Sequence, residues 1–339
     1  MIWLFFAQLA VAALPADALV RLKSMDAKSA GNLGVYLKEI KTGDEVAYQA
    51  ERPWYLSSTT KVPIAIALLR EVEAGKISLS QKLVLQSSDY VDGAGELLSR
   101  KPGESFTVSF LLNRMLTLSD SSATDMLVRL VGEEKVNAFV AEQGGFGKLT
   151  TILGVRYGAF GELHPNAAKL TNLDYLSFKK GKTYDERLQL FAQGIGVNRT
   201  ALRATSIEAA FERYYAKGEN SASLKAFGLM LEKLKTGKLL NEKHTKLMLD
   251  TMAKTTTGSQ RIKAALPAGA VFAQKTGTQV GRICNVGLVN STLPDALVVA
   301  ACVEKFSSFA DAEKLLREVG EVVADWCKGK CGKSTLSAL

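Results

Sequence analysis

Histidine is nearly missing from this chain of 339 residues: only His164 and His244 occur, and they stand far apart. That leaves no donor set of the kind a zinc centre uses, so neither a metal nor a cofactor is expected. Cysteine is scarce too, and its four copies (Cys284, Cys302, Cys327 and Cys331) all fall late. Three pairings are open to them and spacing does not choose, although Cys284 and Cys302 lie on two strands of an apparent hairpin and can face each other. Internal repeats and low-complexity tracts are absent. With 47% hydrophobic and 23% charged residues the composition is that of an ordinary folded protein. Charge is not clustered either. The net charge of +9 comes from scattered basic residues, which excludes the concentrated footprint of a nucleic-acid partner. A phosphate loop is excluded as well: Gly329-Lys330-Cys331-Gly332-Lys333-Ser334 has its glycines too close and follows a helix rather than a strand.

No apolar run is long enough for a confident membrane span. The nearest to one is Met1 to Ala16, which carries no charge and ends in Leu14-Pro15-Ala16 before polar sequence starts at Asp17. Residues 1–16 read as a secretory signal that lacks its usual basic start, and export to a bacterial periplasm is the expectation. A short buried helix or an uncleaved anchor is the plainer alternative. A basic surface suits an anionic envelope, and an exported chain could oxidise its cysteines.

What is present falls into order along the chain. Ala18 to Ala30 reads as a helix. Leu33 to Leu37 and Glu45 to Gln49 read as strands joined by Lys41-Thr42-Gly43-Asp44. A long apolar helix runs from Ser58 to about Glu73, and three more fill the stretch from Thr107 to Gln143. Between Leu153 and Ser223 the pattern blurs into loop sequence (Gly158 to Asn166) and helical pieces at Asp185 to Ala192 and Ser206 to Ala216. Two helices, Leu224 to Leu234 and Asn241 to Met252, precede three strands (Ala270 to Gln274, Ile283 to Val289, Ala296 to Val303) and a final helix from Asp311 to Trp326. Strands at both ends with helices between them imply an α/β (α+β) fold: an antiparallel sheet of about five strands flanked by helices, plus an all-helical lobe. We expect one catalytic domain over 17–330, its sheet part from 17–55 and 265–330, its lobe from 56–264, and a loose tail over 331–339.

Chemistry concentrates in the hydroxyls just before the apolar helix, in Ser58-Thr59-Thr60-Lys61. Positions i and i+3 share a helix face, so Lys61 stands one turn above Ser58. A serine hydroxyl attacks only when a neighbour takes its proton, and a lysine buried among other cations can do so as the neutral amine. A helix N-terminus beside it adds N–H groups that can hold an oxyanion. Taken alone the pattern is loose. It recurs at Ser177 to Lys180, and hydroxyls before an apolar run are common helix caps. Two further clusters add weight: Ser119-Asp120-Ser121 between helices, and Lys275-Thr276-Gly277 among the late strands.

In this order the three clusters resemble those of class A β-lactamases and penicillin-binding proteins. Lys-Thr-Gly also occurs at Lys41 and Lys235, but only Lys275 lies between strands. Val91-Asp92-Gly93-Ala94-Gly95 and Ala265-Leu266-Pro267 fit the same family. The resemblance covers roughly Leu33 to Met126 and Ala222 to Trp326, and it implies a β-lactamase/transpeptidase-like fold. It implies Ser58 as the nucleophile, Lys61 as its proton partner and Ser119 as the relay to the leaving nitrogen. Lys275, with Thr276 and Thr278, would bind the substrate carboxylate. The N–H groups of Ser58 and Thr278 would form the oxyanion hole, and Gly277 belongs to the same motif. Arg282 stands where the family often keeps a carboxylate-binding arginine. Two departures follow. Ser121 replaces the usual asparagine, and the Glu-x-x-Leu-Asn stretch that supplies the deacylating carboxylate is absent, leaving Glu162 as the only nearby candidate. The resemblance thus implies a monomeric serine hydrolase opening β-lactam rings. The alternative is a D-alanyl-D-alanine peptidase acting on peptidoglycan stem peptides with slow deacylation. A non-catalytic envelope-binding module would have lost the nucleophile or the lysines, and all are present.

Overall fold

A computed structural model of the chain describes residues 14–328 and 330–331. The expected signal lies almost wholly outside the described residues, as does the tail beyond Cys331. Helix α1 (Ala18–Lys28) leads into β1 (Asn32–Glu39), β2 (Glu45–Tyr48) and the short β3 (Pro53–Tyr55). A 3₁₀ turn, Ser57–Thr60, runs straight into α2 (Lys61–Glu73). Short strands β4 (Lys82–Val84) and β5 (Ser105–Thr107) pair ahead of α3 (Val108–Thr117), α4 (Ser121–Val131) and α5 (Glu133–Gln143). The middle holds α6 (Ile152–Gly161), α7 (Asn172–Phe178), α8 (Tyr184–Gly194) and α9 (Ile207–Tyr215). Then follow β6 (Ser221–Ser223), α10 (Leu224–Lys235) and α11 (Glu242–Ala253). The chain closes with β7 (Phe272–Gln279), β8 (Arg282–Val289), β9 (Leu297–Glu304) and α12 (Phe309–Cys327).

The main sheet has the order β2-β1-β9-β8-β7 and is antiparallel throughout. Alternation along β9 shows why its sequence is apolar from end to end. Leu297, Val299, Ala301 and Val303 face Leu316, Val319 and Val323 of α12, while Val298 and Ala300 face Phe227 and Leu231 of α10. Both faces are covered, so both residue parities must be apolar. Each such side chain contributes about 1.5–3 kcal/mol on burial. Helix α10 therefore packs on the sheet, where the sequence suggested a lobe helix. The register sets Cys284 opposite Cys302, and these two are bonded, as are Cys327 and Cys331. The fully buried Glu39 accepts from Trp326 Nε1 at 3.1 Å and Lys330 Nζ at 2.7 Å, which ties β1 to the end of α12. A buried carboxylate needs such partners.

The middle segment carries a core of its own: Tyr55, Phe160, Tyr175, Phe178, Phe191, Phe211 and Tyr214, largely ring on ring. Here the structure corrects the sequence reading. Gly158 to Gly161, expected in a loop, belong to α6, and α7 had no counterpart in the expected elements. Three glycines in ten residues of α6 hid its helical pattern. Lys275, expected between strands, lies inside β7.

Candidate active site

The nucleophile candidate sits in the 3₁₀ turn, not in the helix proper. Buried Trp54 and Tyr55 anchor its approach, and β3 pairs with β6. Leu56 N–H donates to Asn220 O at 2.8 Å. Thr59 Oγ1 and Thr60 Oγ1 donate back to Leu56 O and Ser57 O, which closes the turn. Ser57 adopts φ +51°, a left-handed conformation that costs a non-glycine residue about 1–3 kcal/mol and recurs at functional sites. Ser58 is half-buried, whereas Lys61 and the next eight residues of α2 are all buried. Lys61 Nζ reaches Ser58 Oγ at 3.2 Å.

Ser119 stands across the cleft, also in left-handed backbone (φ +61°). Its Oγ lies 3.0 Å from Lys61 Nζ and 2.9 Å from Lys275 Nζ, and its carbonyl accepts from Lys61 at 2.6 Å. Asp120 holds this turn. Its carboxylate caps α4 through Ala123 N–H and binds the N–H groups of Glu96 and Leu97. Two lysines thus share one hydroxyl, both with no exposed surface. Burial lowers the Lys61 pKa to about 8, with the nearby Asp120 and Asp125 resisting. Burial likewise takes Lys275 well below the usual lysine range, and the charges of Lys61 and Arg261 push the same way. A chain of proton carriers results: Ser58, Lys61, Ser119, Lys275.

The third wall is β7. Gly277 lets it press against the nucleophile's turn, because a Cβ there would come within 2.6 Å of Leu56 O and 2.9 Å of Ser57 Cβ. Thr276 Oγ1 bonds Thr257 Oγ1 at 2.6 Å. Ser58, Ser119, Ser121, Thr276 and Thr278 all line one cleft of about 260 Å³. Ser57 Oγ, also on its lining, is buried without a hydrogen-bond partner among the described residues.

Two expected residues do not join it. Glu162 follows α6 and pairs with Lys217 at 2.5 Å, off the cleft lining. Arg282 is buried at the start of β8, held by Glu212 at 2.8 Å beside Glu304, with its guanidinium over the Tyr215 ring. The arginines on the cleft lining are Arg156, which pairs with Asp92, and Arg261, and the sequence reading missed both. Arg261 donates to Gly277 O, Cys284 O and Thr278 Oγ1, and Glu313 balances its charge. Its proximity to the Ala265-Leu266-Pro267 stretch was the available signal. No carboxylate lines the cleft among the described residues. Asp125, the nearest buried acid on α4, spends its oxygens on the N–H groups of Ile152 and Leu153, and burial raises its pKa to about 6.

A model of the "Beta-lactamase enzyme family" matches residues 17–177 and 178–327, nearly the whole described chain. This chain belongs to the β-lactamase enzyme family. Among its relatives, a β-lactamase of Mycobacterium tuberculosis is 24% identical over 91% of this chain and 85% of its own length. β-Lactamase CTX-M-8 of Citrobacter amalonaticus is 31% identical over 38% of this chain, a match spanning 44% of that enzyme's length. The fold is similar to that of the Sphaerobacter thermophilus β-lactamase (TM-score 0.67, 22% identity, 90% of this chain and 95% of that one). It is equally similar to PBP-A (TM-score 0.68, 19% identity, 94% of this chain and 100% of that one). The chain is thus a β-lactamase-family protein with a β-lactamase-like fold and a β-lactamase-like function.

Proposed function

We propose that this protein opens β-lactam rings by forming an acyl-enzyme on Ser58, and that the adduct is long-lived. The observation that carries the reading is the shared hydrogen bonding of Lys61 and Lys275 to Ser119 Oγ, with Ser58 3.2 Å from Lys61. Lys61, neutral above about pH 8, takes the Ser58 proton as Oγ attacks the lactam carbonyl. The Ser58 and Thr278 N–H groups receive the oxyanion. Ser119 delivers a proton to the leaving nitrogen as the C–N bond breaks, and Lys61 or Lys275 replaces that proton. Thr276, Thr278 and Arg261 offer hydroxyls and positive charge to the carboxylate that β-lactams carry. Ser121 presents a shorter side chain than the family's asparagine to the substrate amide.

The absence of a carboxylate from the cleft lining, among the described residues, favours a second reading on the same machinery. In it the natural substrate is an acyl-D-alanyl-D-alanine peptide of the envelope, and β-lactams act as slow-leaving mimics. A variant of PBP-A is known as an acyl-enzyme complex with penicillin G. Periplasmic localisation and a monomeric state accompany either reading. The test is the intact mass of the protein over time after mixing with benzylpenicillin. An adduct that persists supports the proposal, rapid decay with drug hydrolysis means an efficient β-lactamase, and labelling of Ser58→Ala would sink the nucleophile assignment.

A further inference from the structure

A second cavity, about 90 Å³, opens beside the catalytic cleft and shares Arg156 and Gln279 with it. Alone it is too small for a whole ligand, whose sites run to about 300–1,000 Å³, so it reads as an annex. The middle segment builds it: Phe160, Tyr175, Phe178 and Phe211 form an apolar floor, and Lys179 and Arg187 stand at its edge. Arg156 is neutralised by Asp92. Arg187 is not neutralised: its Nε donates to the Gly181 carbonyl and its guanidinium lies near the Tyr184 ring. Among the described residues neither Arg187 nor Lys179 has a carboxylate partner. Gln279 Oε1 accepts from Val280 N–H, and its amide nitrogen has no hydrogen-bond partner among the described residues.

We infer that this annex is a specificity subsite for the acyl side chain of the substrate, and that it selects an apolar arm ending in a carboxylate. The inference rests on the acyl-enzyme reading above. The arm lies on the aromatic floor and its carboxylate meets Arg187 and Lys179, while the scissile bond stays at Ser58. The arrangement gives the aromatic middle segment a role that the reaction itself does not require.

The experiment compares penicillins that share 6-aminopenicillanic acid and differ only in the arm. These are hexanoyl against adipoyl, and octanoyl against suberoyl, so that two lengths are sampled. The second-order rate of Ser58 acylation is read by rapid-quench mass spectrometry. The diacid arm of at least one length should acylate about fivefold faster than its monoacid twin, the size expected of one half-exposed charge pair. Arg187→Ala should bring that ratio close to one, Arg187→Lys should keep it, and Lys179→Ala at the exposed rim should lower it. Each ratio is taken within one protein preparation, so partial loss of folded protein cancels. Equal rates for both pairs, or a preference that survives Arg187→Ala, would overturn the subsite while leaving the nucleophile intact. Failure of all four compounds to label Ser58 would overturn the catalytic reading and the subsite with it.

Discussion

If Lys61 accepts the Ser58 proton, the acylation rate must follow the fraction of Lys61 that is neutral. Burial sets its pKa at about 8, so roughly 10% is neutral at pH 7, half at pH 8 and about 90% at pH 9. The sign is that of a base: raising the pH removes the ammonium proton and speeds attack, for a gain of about tenfold between pH 7 and pH 9. Rapid-quench mass spectrometry with benzylpenicillin across pH 6 to 9.5 measures this directly. Asp125→Asn supplies the second arm. The Asp125 carboxylate favours the Lys61 ammonium, and with a pKa of about 6 it is mostly ionised above pH 7. Removing its charge should move the inflection to lower pH and raise the rate at pH 7. The variant also loses one acceptor for the Ile152 and Leu153 N–H groups, at about 1–2 kcal/mol, so the melting temperature is recorded alongside. A flat profile, an inflection near pH 4 to 5, or a shift to higher pH in Asp125→Asn would refute Lys61 as the base.

Three further outcomes follow from the same geometry. Lys61→Met should abolish acylation yet stabilise the fold by about 1–3 kcal/mol at pH 7. The unfolded chain holds the Lys61 proton up to its ordinary pKa of 10.5 and the folded one only to about 8, so the burial penalty is full below pH 8 and fades by pH 10.5. Urea unfolding at pH 7 and pH 10.5 reads the difference, and a less stable variant at pH 7 would contradict it. Gly277→Ala should slow acylation about 100-fold, since its Cβ would displace the backbone at Leu56 and Ser57; the same mass assay checks it, and an unchanged rate would count against the close approach. Glu162→Gln should leave the adduct lifetime unchanged and cost at most about 1 kcal/mol through the lost Lys217 pair; an altered lifetime would return Glu162 to the mechanism.

The parts that local chemistry dictates were legible in the sequence. Ser58, Lys61, Ser119 and Lys275 lie on elements whose period and order could be read, and the structure brings all four together. The sheet was legible for the same reason: β1, β8 and β9 carry runs that only a covered strand needs. What escaped reading was decided by contacts distant in sequence. Arg282 and Arg261 are both arginines beside polar neighbours, and only the positions of Glu212 and Glu304 turn the first away from the cleft. Helix α6 depends on Asp125 holding its first N–H groups and on aromatic packing, because its own glycines oppose it. The β3–β6 pair joins residues far apart along the chain, Trp54 with Ala222 among them, and no window of sequence contains it.

The missing carboxylate and the depressed Lys61 pKa belong to one electrostatic problem. An anion within about 4–6 Å of an ammonium favours its charged form, typically by about one to three pKa units. Each such unit removes about nine-tenths of the remaining neutral Lys61 at pH 7. A carboxylate brought into the cleft to activate water would therefore slow the lysine-driven attack that makes the acyl-enzyme, unless the two exchanged a proton. Here the nearest candidates are kept occupied: Asp120 by Ala123, Glu96 and Leu97, and Asp125 by Ile152 and Leu153. Arg261 stands on the same wall with Glu313 balancing its charge, and burial together with the charges of Lys61 and Arg261 holds Lys275 well below the usual lysine range. On the acyl-enzyme reading, the cleft favours the acylation half of the cycle by the same choice of charges that withholds a base from the other half, and a persistent adduct is the expected outcome.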